Sequence, residues 1–230
     1  TLYANSVGVR QALDLALRYK SRVVHASSSV IYGPRPADGH RFNESENGVN
    51  DLLSPRACYD EGKRWAETIC ATYKQVHGLD VRIARIFRTY GPRMKLHDGN
   101  LLPDMINAGL DGKDIELTAP EDAKIALCFV SDIIDGLIRH MRSTIDVTVV
   151  NLGSDQEVYL SSVASLIAKI TAGNARVRFT ASSAFGEPGL PDLAKAKQLL
   201  SWIPLVRLED GILRMVDYAR SRRQQRTMFT

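Results

Sequence analysis

In the stretch SPRACYDEGKRWAE, Ser54 to Glu67, a tyrosine and a lysine stand four residues apart, Tyr59 and Lys63. On a helix, positions i and i+4 lie on one face about one turn apart, so the two side chains can address the same ligand. An ammonium held near a phenol favours the phenolate. A tyrosine so placed can act as general base or acid, taking the proton from an alcohol as hydride leaves its carbon. The same spacing also describes an ordinary solvated helix edge, and a bare Tyr-x-x-x-Lys does not separate the two readings.

The elements around this pair give it a setting. Val9, Leu13, Ala16 and Leu17 recur at helical spacing, which predicts an amphipathic helix from about Ala4 to Tyr19. Arg22 to Ala26 is short, apolar and β-branched, and reads as a strand running into SSSVIYGP, so serines lie at its C-terminal end. Residues 34–53, rich in Pro, Gly, Asn and Asp, read as a long loop. The helix that follows is predicted to take Ser54 as N-cap and Pro55 as its first position, with Trp65, Ile69, Tyr73 and Val76 buried and Gly78 ending it.

Val81 to Phe87 is almost continuously apolar, as suits a strand covered on both faces, and strand–helix–strand implies a parallel sheet. Strand ends and helix can then converge on the crevice at the carboxyl end of the sheet. Further on, the pattern predicts helices at Leu101 to Ala108, from a Ser131 cap to Met141, and near Ser161 to Thr171, Asp192 to Leu200 and Glu209 to Arg220. Strands are predicted near Ile115 and Leu127 and at Val147 to Leu152. Trp202, followed by Pro204, reads as a core residue.

Composition excludes several function classes. The 230 residues are 44% hydrophobic, enough for a packed core. No apolar run approaches the roughly 18 residues of a membrane helix, and TLYANSVGVRQ has no secretory pattern, so a cytoplasmic protein with no membrane contact is expected. Cys58, Cys70 and Cys128 have no disulfide or metal-ligand spacing and read as reduced core residues. His25, His40, His77, His97 and His140 are scattered, read as surface or satisfied core residues, and predict no metal site. The net charge of +4 is matched by the C-terminal arginines Arg214, Arg220, Arg222, Arg223 and Arg226 less Asp217, which points to a frayed basic tail rather than a nucleic-acid surface.

Across nearly its whole length the chain resembles the extended short-chain dehydrogenase/reductases that modify nucleotide sugars (the NAD-dependent epimerase/dehydratase family), most closely the UDP-glucuronate decarboxylases. The segments that carry the resemblance are HASSSVIYG, SPRACYDEGKRWAET, VRIARIFRTYGPRM, DGNLLPDMI, FVSDIIDGL, VNLGS and PDLAKAKQLLSWIPLVRLEDGI. It implies a doubly wound α/β fold with a parallel, Rossmann-like sheet and a smaller C-terminal α/β substrate lobe. Residues 1–92 would form the second half of the dinucleotide-binding domain, and 93–230 mainly the substrate lobe, with segments near 127–152 returning to the main domain. It further implies NAD as cofactor, with Tyr59 as acid/base, Lys63 holding the nicotinamide ribose and polarising Tyr59, and Ser28 bonding the reacting oxygen. Thr89 and Asn5 would line the cofactor, and Ser29, Arg88 and Arg93 the substrate, a UDP-linked sugar. A homodimer through residues 4–19 and 55–77 is likewise implied.

The chain departs from that pattern in three respects. The opening strand, Gly-rich phosphate loop and ribose-binding acid of the family are not among these residues, and matching TLYANSVG to the family's TLKTNTIG leaves out roughly 80 to 100 residues of the first mononucleotide-binding half. The acid of the family's T-S-E-V-Y-G segment is Val30 here, which weighs against decarboxylation and towards epimerisation or simple ketone/alcohol redox chemistry. Substrate contacts also change: Tyr3, Gln11, Arg88, Asn100 and Ile125 replace a lysine, two asparagines and two arginines, with Arg88 or Lys124 able to restore part of the charge. Two functions follow: an NAD-dependent nucleotide-sugar decarboxylase or epimerase, or a non-catalytic relative that keeps the scaffold as a binding or sensor module.

Overall fold

The computed structural model describes residues 1–96, 99–171, 175–180 and 189–228, with side chains described up to residue 225. His97 and the side chain of Arg226 therefore lie outside the described residues. A π-helical segment (Ala4–Gly8) runs into α1 (Val9–Arg18), followed by β1 (Val23–Ser28), a 3-10 turn (Ser29–Tyr32), α2 (Ala57–His77), β2 (Val81–Ile86) and β3 (Thr89–Tyr90). Then come α3 (Leu101–Leu110), β4 (Ile115–Thr118), β5 (Lys124–Ala126), β6 (Cys128–Phe129), α4 (Val130–Arg142) and β7 (Val149–Leu152). The last elements are β8 (Glu157–Tyr159), α5 (Leu160–Thr171), β9 (Val177–Thr180), α6 (Ala194–Leu200) and α7 (Leu208–Met228). The fold is α/β with a parallel, Rossmann-like sheet.

Two compact units make up the chain. The first comprises Thr1–Arg88, Ile133–Asp155 and Gly189–Ile203, the second Thr89–Asp132, Gln156–Pro188 and Pro204–Thr230.

In the first unit the sheet order is β1-β2-β7, with both pairs parallel. Val81 to Ala84 of β2 are buried without alternation, as a central strand covered on both faces requires. Leu13 and Ala16 of α1, Cys70 of α2 and Val81 and Ile83 of β2 share one apolar cluster. Full burial of a side chain such as Leu13 stabilises by about 1.5–3 kcal/mol. β1 runs two residues further than the sequence predicts, taking Ser27 and Ser28 into the strand in register with Arg85 and Ile86.

The start and the buried face of α2 both differ from expectation. Ser54 is not its cap: the Ala57 amide donates to the Ser54 carbonyl in a preceding turn, and the helix begins after Arg56 without a side-chain cap. Trp65 and Val76 are exposed, while Gly62, Ala66 and Cys70 are buried. Small residues win this face because the helix lies close to its neighbours; a Cβ at Gly62 would stand 3.3 Å from the side chain of Asn5. Gly78 does end the helix, in the left-handed conformation (φ 65°).

Cys58 is exposed, whereas Cys70 and Cys128 are buried. His140 is fully buried with the backbone of Ile83 and Thr148 facing its ring, whereas Nε2 of His25 is buried and meets no partner among the described residues. Trp202 is buried, as expected. Ser131 lies inside α4, which starts at Val130.

The second unit pairs β3 with β6 and β4 with β9 in parallel, and β5 with β8 antiparallel. Its core joins Met105 and Ile106 of α3, Val163 and Ile167 of α5 and Ile212 and Met215 of α7. The strands β8 and β9 are not anticipated by the sequence reading. Nor is the C-terminus a frayed tail: α7 continues to Met228, Arg220 donates to the carbonyls of Ile170 and Thr171, and Arg223 pairs with Asp111 at 2.6 Å. Among the described residues, no helix is long and apolar enough to cross a membrane, and no group of His, Cys, Asp and Glu is arranged to hold a metal ion.

Candidate active site

Tyr59 and Lys63 occupy the first two turns of α2 on one face. Lys63 Nζ lies 6.0 Å from the Tyr59 ring centroid, and Arg56 Cζ approaches the same ring to 5.8 Å. Two cations therefore flank one phenol ring.

The lysine also reaches the sheet. Its ammonium donates to the carbonyl of Ala26 at 2.9 Å, and the next residue, Arg64, donates to the carbonyls of Ile31 (2.9 Å) and Gly48 (2.8 Å). Ser28 is the last residue of β1; its Oγ accepts from the Val30 amide at 3.4 Å and so caps the 3-10 turn that Ser29 opens. Gly33 follows at φ 81°, a conformation open to glycine at no steric cost.

Asn5 packs against α2 at Gly62, and its Nδ2 donates to the Thr1 carbonyl. Arg88 follows β2, is exposed and, as an arginine, stays charged. Thus Asn5, Ser28, Ser29, Tyr59, Lys63 and Arg88 all belong to the first unit. Thr89 and Arg93 belong to the second, where Thr89 pairs with Cys128 in β3–β6 and Arg93 stands at φ 74°, a strained region for a side-chain-bearing residue.

Beneath the pair lies a polar network that the sequence reading misses. Glu67, one turn beyond Lys63, accepts from Ser27 Oγ at 2.5 Å and from Arg85 Nη2 at 2.8 Å, with Arg85 Nε at 3.1 and 3.2 Å from its two oxygens. Arg85 also donates to Tyr32 Oη (2.9 Å) and the Glu44 carbonyl (3.0 Å), and Tyr32 donates to Asn151 Oδ1 (2.8 Å). The signal for Glu67 was present in the sequence, since it extends the four-residue spacing of Tyr59 and Lys63. Its partners were not legible, because β1 and β2 are brought to it by the fold.

The electrostatics follow from burial and these partners. Desolvation lowers the pKa of Lys63, opposed by Glu67. His25, on the same strand as Ser27, is pushed down to about 4 by burial and then by Lys63, against Glu67. Burial raises Tyr32 to about 12 in spite of Arg85, and raises Asp60, one Oδ of which is buried without a partner.

Chemically, this set can hold an alcohol oxygen and move its proton. It also fits the nicotinamide end of a dinucleotide, because Lys63 commits one donor to Ala26 and an ammonium has three. The residues present include no Gly-rich cradle for the phosphates.

The chain matches known proteins along most of its length. The model of the NAD dependent epimerase/dehydratase family matches residues 1–153. The chain is 38% identical over 222 residues to UDP-glucuronic acid decarboxylase 1 of Xenopus tropicalis, covering 96% of the chain and 52% of that protein. It is 35% identical over 224 residues to UDP-glucuronic acid decarboxylase 3 of Arabidopsis thaliana, covering 96% and 64%. The chain thus spans about half the length of the first of these relatives. Among solved structures, the UDP-glucuronic acid 4-epimerase from Bacillus cereus in complex with UDP-glucuronic acid and NAD superposes with a TM-score of 0.82 at 24% identity, over 96% of this chain and 68% of that one. The UDP-N-acetylglucosamine 4-epimerase from Methanobrevibacter ruminantium M1 superposes with a TM-score of 0.85 at 20% identity, over 96% and 70%. At these identities the structures establish the fold alone.

Proposed function

The chain belongs to the NAD dependent epimerase/dehydratase family, and from that premise we propose that it forms the acid/base and substrate-binding part of an enzyme that transiently oxidises a hydroxyl of a UDP-linked sugar. The observation that carries this reading is the double engagement of Lys63, beside the Tyr59 ring and on the Ala26 carbonyl of the strand that ends in Ser28. Tyr59 takes the hydroxyl proton, Ser28 holds the oxygen by a hydrogen bond, and Lys63 stabilises the phenolate while its remaining donors face the cofactor ribose. When bound, NAD supplies the hydride acceptor. Within the first unit, Asn5 lines the cofactor in this reading, and Ser29 and Arg88 bind the substrate, with the arginine drawn to its diphosphate.

Val30, at the position of the family's acid, carries no proton, which favours epimerisation of the ketone over decarboxylation. Among the described residues no strand pairs with the outer edge of β1. Two copies pair through α1 and α2, whose exposed Leu15, Trp65 and Val76 supply the apolar surface. A cytoplasmic location is consistent with three free thiols.

A second reading, a non-catalytic binding or sensor module, draws on Val30 and on Ile125. The latter replaces an arginine of the family pattern and is buried in the core of the second unit, so no cation stands there. Calorimetry with NAD and UDP-sugars on the full-length gene product, together with turnover by wild type and Tyr59→Phe, tests the choice. NAD binding with turnover lost in the variant supports the enzyme; NAD binding without turnover in either supports the sensor.

A further inference from the structure

Glu67 has no part in the proton transfer described above, yet it is held by both Arg85 and Ser27. Its side chain retains 12% exposure and that of Arg85 11%, so the pair is largely out of water, where an ion pair must be well hydrogen-bonded to be tolerated. Arg85 meets both oxygens, and Ser27 donates to one of them. A carboxylate placed merely to neutralise Arg85 would not need the serine. The serine belongs to β1, directly between Ala26, which receives Lys63, and Ser28, which ends the strand. Within one turn of α2, Lys63 and Glu67 thus grip consecutive residues of the same strand, and Arg64 grips the turn that follows it.

We propose that Glu67 is a positioning residue: anchored on Arg85, it fixes the rotation and depth of α2 against β1, so that Tyr59 and Lys63 keep their placement relative to the strand end at Ser28. This rests on the enzymatic reading given above. Glu67 touches neither Tyr59 nor Ser28; it acts through Lys63 and through the backbone of β1. It acts on Lys63 in a second way, because its negative charge supports the ammonium against desolvation. The charged and titratable groups facing Lys63 are Tyr59 and Glu67 on its own helix, His25 on β1 and, through Glu67, Arg85 on β2.

The test uses the full-length protein with Glu67→Gln and, as a milder change that keeps the ion pair, Ser27→Ala. Three quantities are read: kcat and KM, the titration of Lys63 followed by NMR of reductively 13C-methylated protein, and amide hydrogen exchange of residues 26–33. For Glu67→Gln, kcat should fall roughly tenfold to a hundredfold with KM within about twofold, and the Lys63 titration should move to lower pH. For Ser27→Ala, the titration should stay in place while kcat falls and the strand end exchanges faster. An unmoved Lys63 titration in folded Glu67→Gln, or unchanged exchange and kcat in Ser27→Ala, overturns the proposal. If wild type binds NAD but turns over no UDP-sugar, the enzymatic reading fails by itself, while titration and exchange still decide whether Glu67 holds the helix to the strand.

Discussion

Lys63 of α2 donates to the backbone carbonyl of Ala26, two residues before the end of β1, at 2.9 Å. The side chain proposed as a catalytic partner is therefore also a strut between helix and sheet. Loss of Lys63 should consequently cost both chemistry and docking of α2. We expect Lys63→Met to lower kcat at least about a hundredfold and also to lower the melting temperature, whereas Tyr59→Phe lowers kcat by a similar factor with little change in melting. Paired kinetics and thermal denaturation read both effects, and equal melting of the two variants would contradict the strut.

Gly48 lies where any side chain would collide with backbone. A Cβ there would overlap the carbonyl oxygen of Ile31 and the backbone of Tyr32, while the Gly48 carbonyl itself receives Arg64. Gly48→Ala should destabilise the protein by about 2 kcal/mol or more, read as a lower urea midpoint at unchanged m. A change within about 0.5 kcal/mol would mean that the loop and the 3-10 turn separate at little cost.

The buried histidines make stability depend on pH. Burial first, then Arg82, holds His140 down at about 4, and His25 is held at about 4 by burial and Lys63. Both folded pKa values lie below the unfolded value of 6.5, so the unfolded chain binds more protons between the two, and stability falls as pH drops from about 6.5 towards 4. The slope reaches on the order of 1 kcal/mol per pH unit for each histidine. Urea unfolding at pH 7, 6 and 5 should show the decline, and His140→Leu should make it shallower; an unchanged slope in that variant would exclude His140 as a source.

Trp65, 55% exposed on α2, offers the largest apolar side chain on the face proposed to pair two copies. Trp65→Glu should shift sedimentation from dimer to monomer at micromolar concentration and leave the far-UV spectrum unchanged. A wild-type protein that sediments as a monomer would remove this proposal.

Much of this architecture was legible in the chain. The helical spacing of Leu13 and Ala16 and the unbroken apolar run at Val81 report burial directly, and both elements form where expected. The buried face of α2 is not legible this way, because hydrophobicity selects large residues such as Trp65, whereas close helix packing selects small ones such as Gly62 and Ala66. The three-residue strand β8 carries too few residues to display a period. In the candidate site, Tyr59 and Lys63 are readable because their relation is local. Glu67 with Arg85, and Tyr32 with Asn151, are not, since each pair is joined only when separate strands and loops assemble.

The two units are interleaved along the chain, and this bears on how the protein comes into being. The first needs Gly189–Ile203, which brings the buried Trp202 and α6, and the second needs Pro204–Thr230, which brings Ile212 and Met215. Neither core is complete until synthesis has passed its last segment, so a ribosome stalled before Gly189 holds two unfinished cores at once. Pairing of distant segments makes folding slow, because loop-closure entropy must be met before the contacts that offset it can form. A frameshift before Gly189 would therefore leave no intact unit behind, and nascent chains should depend on chaperones until these segments emerge.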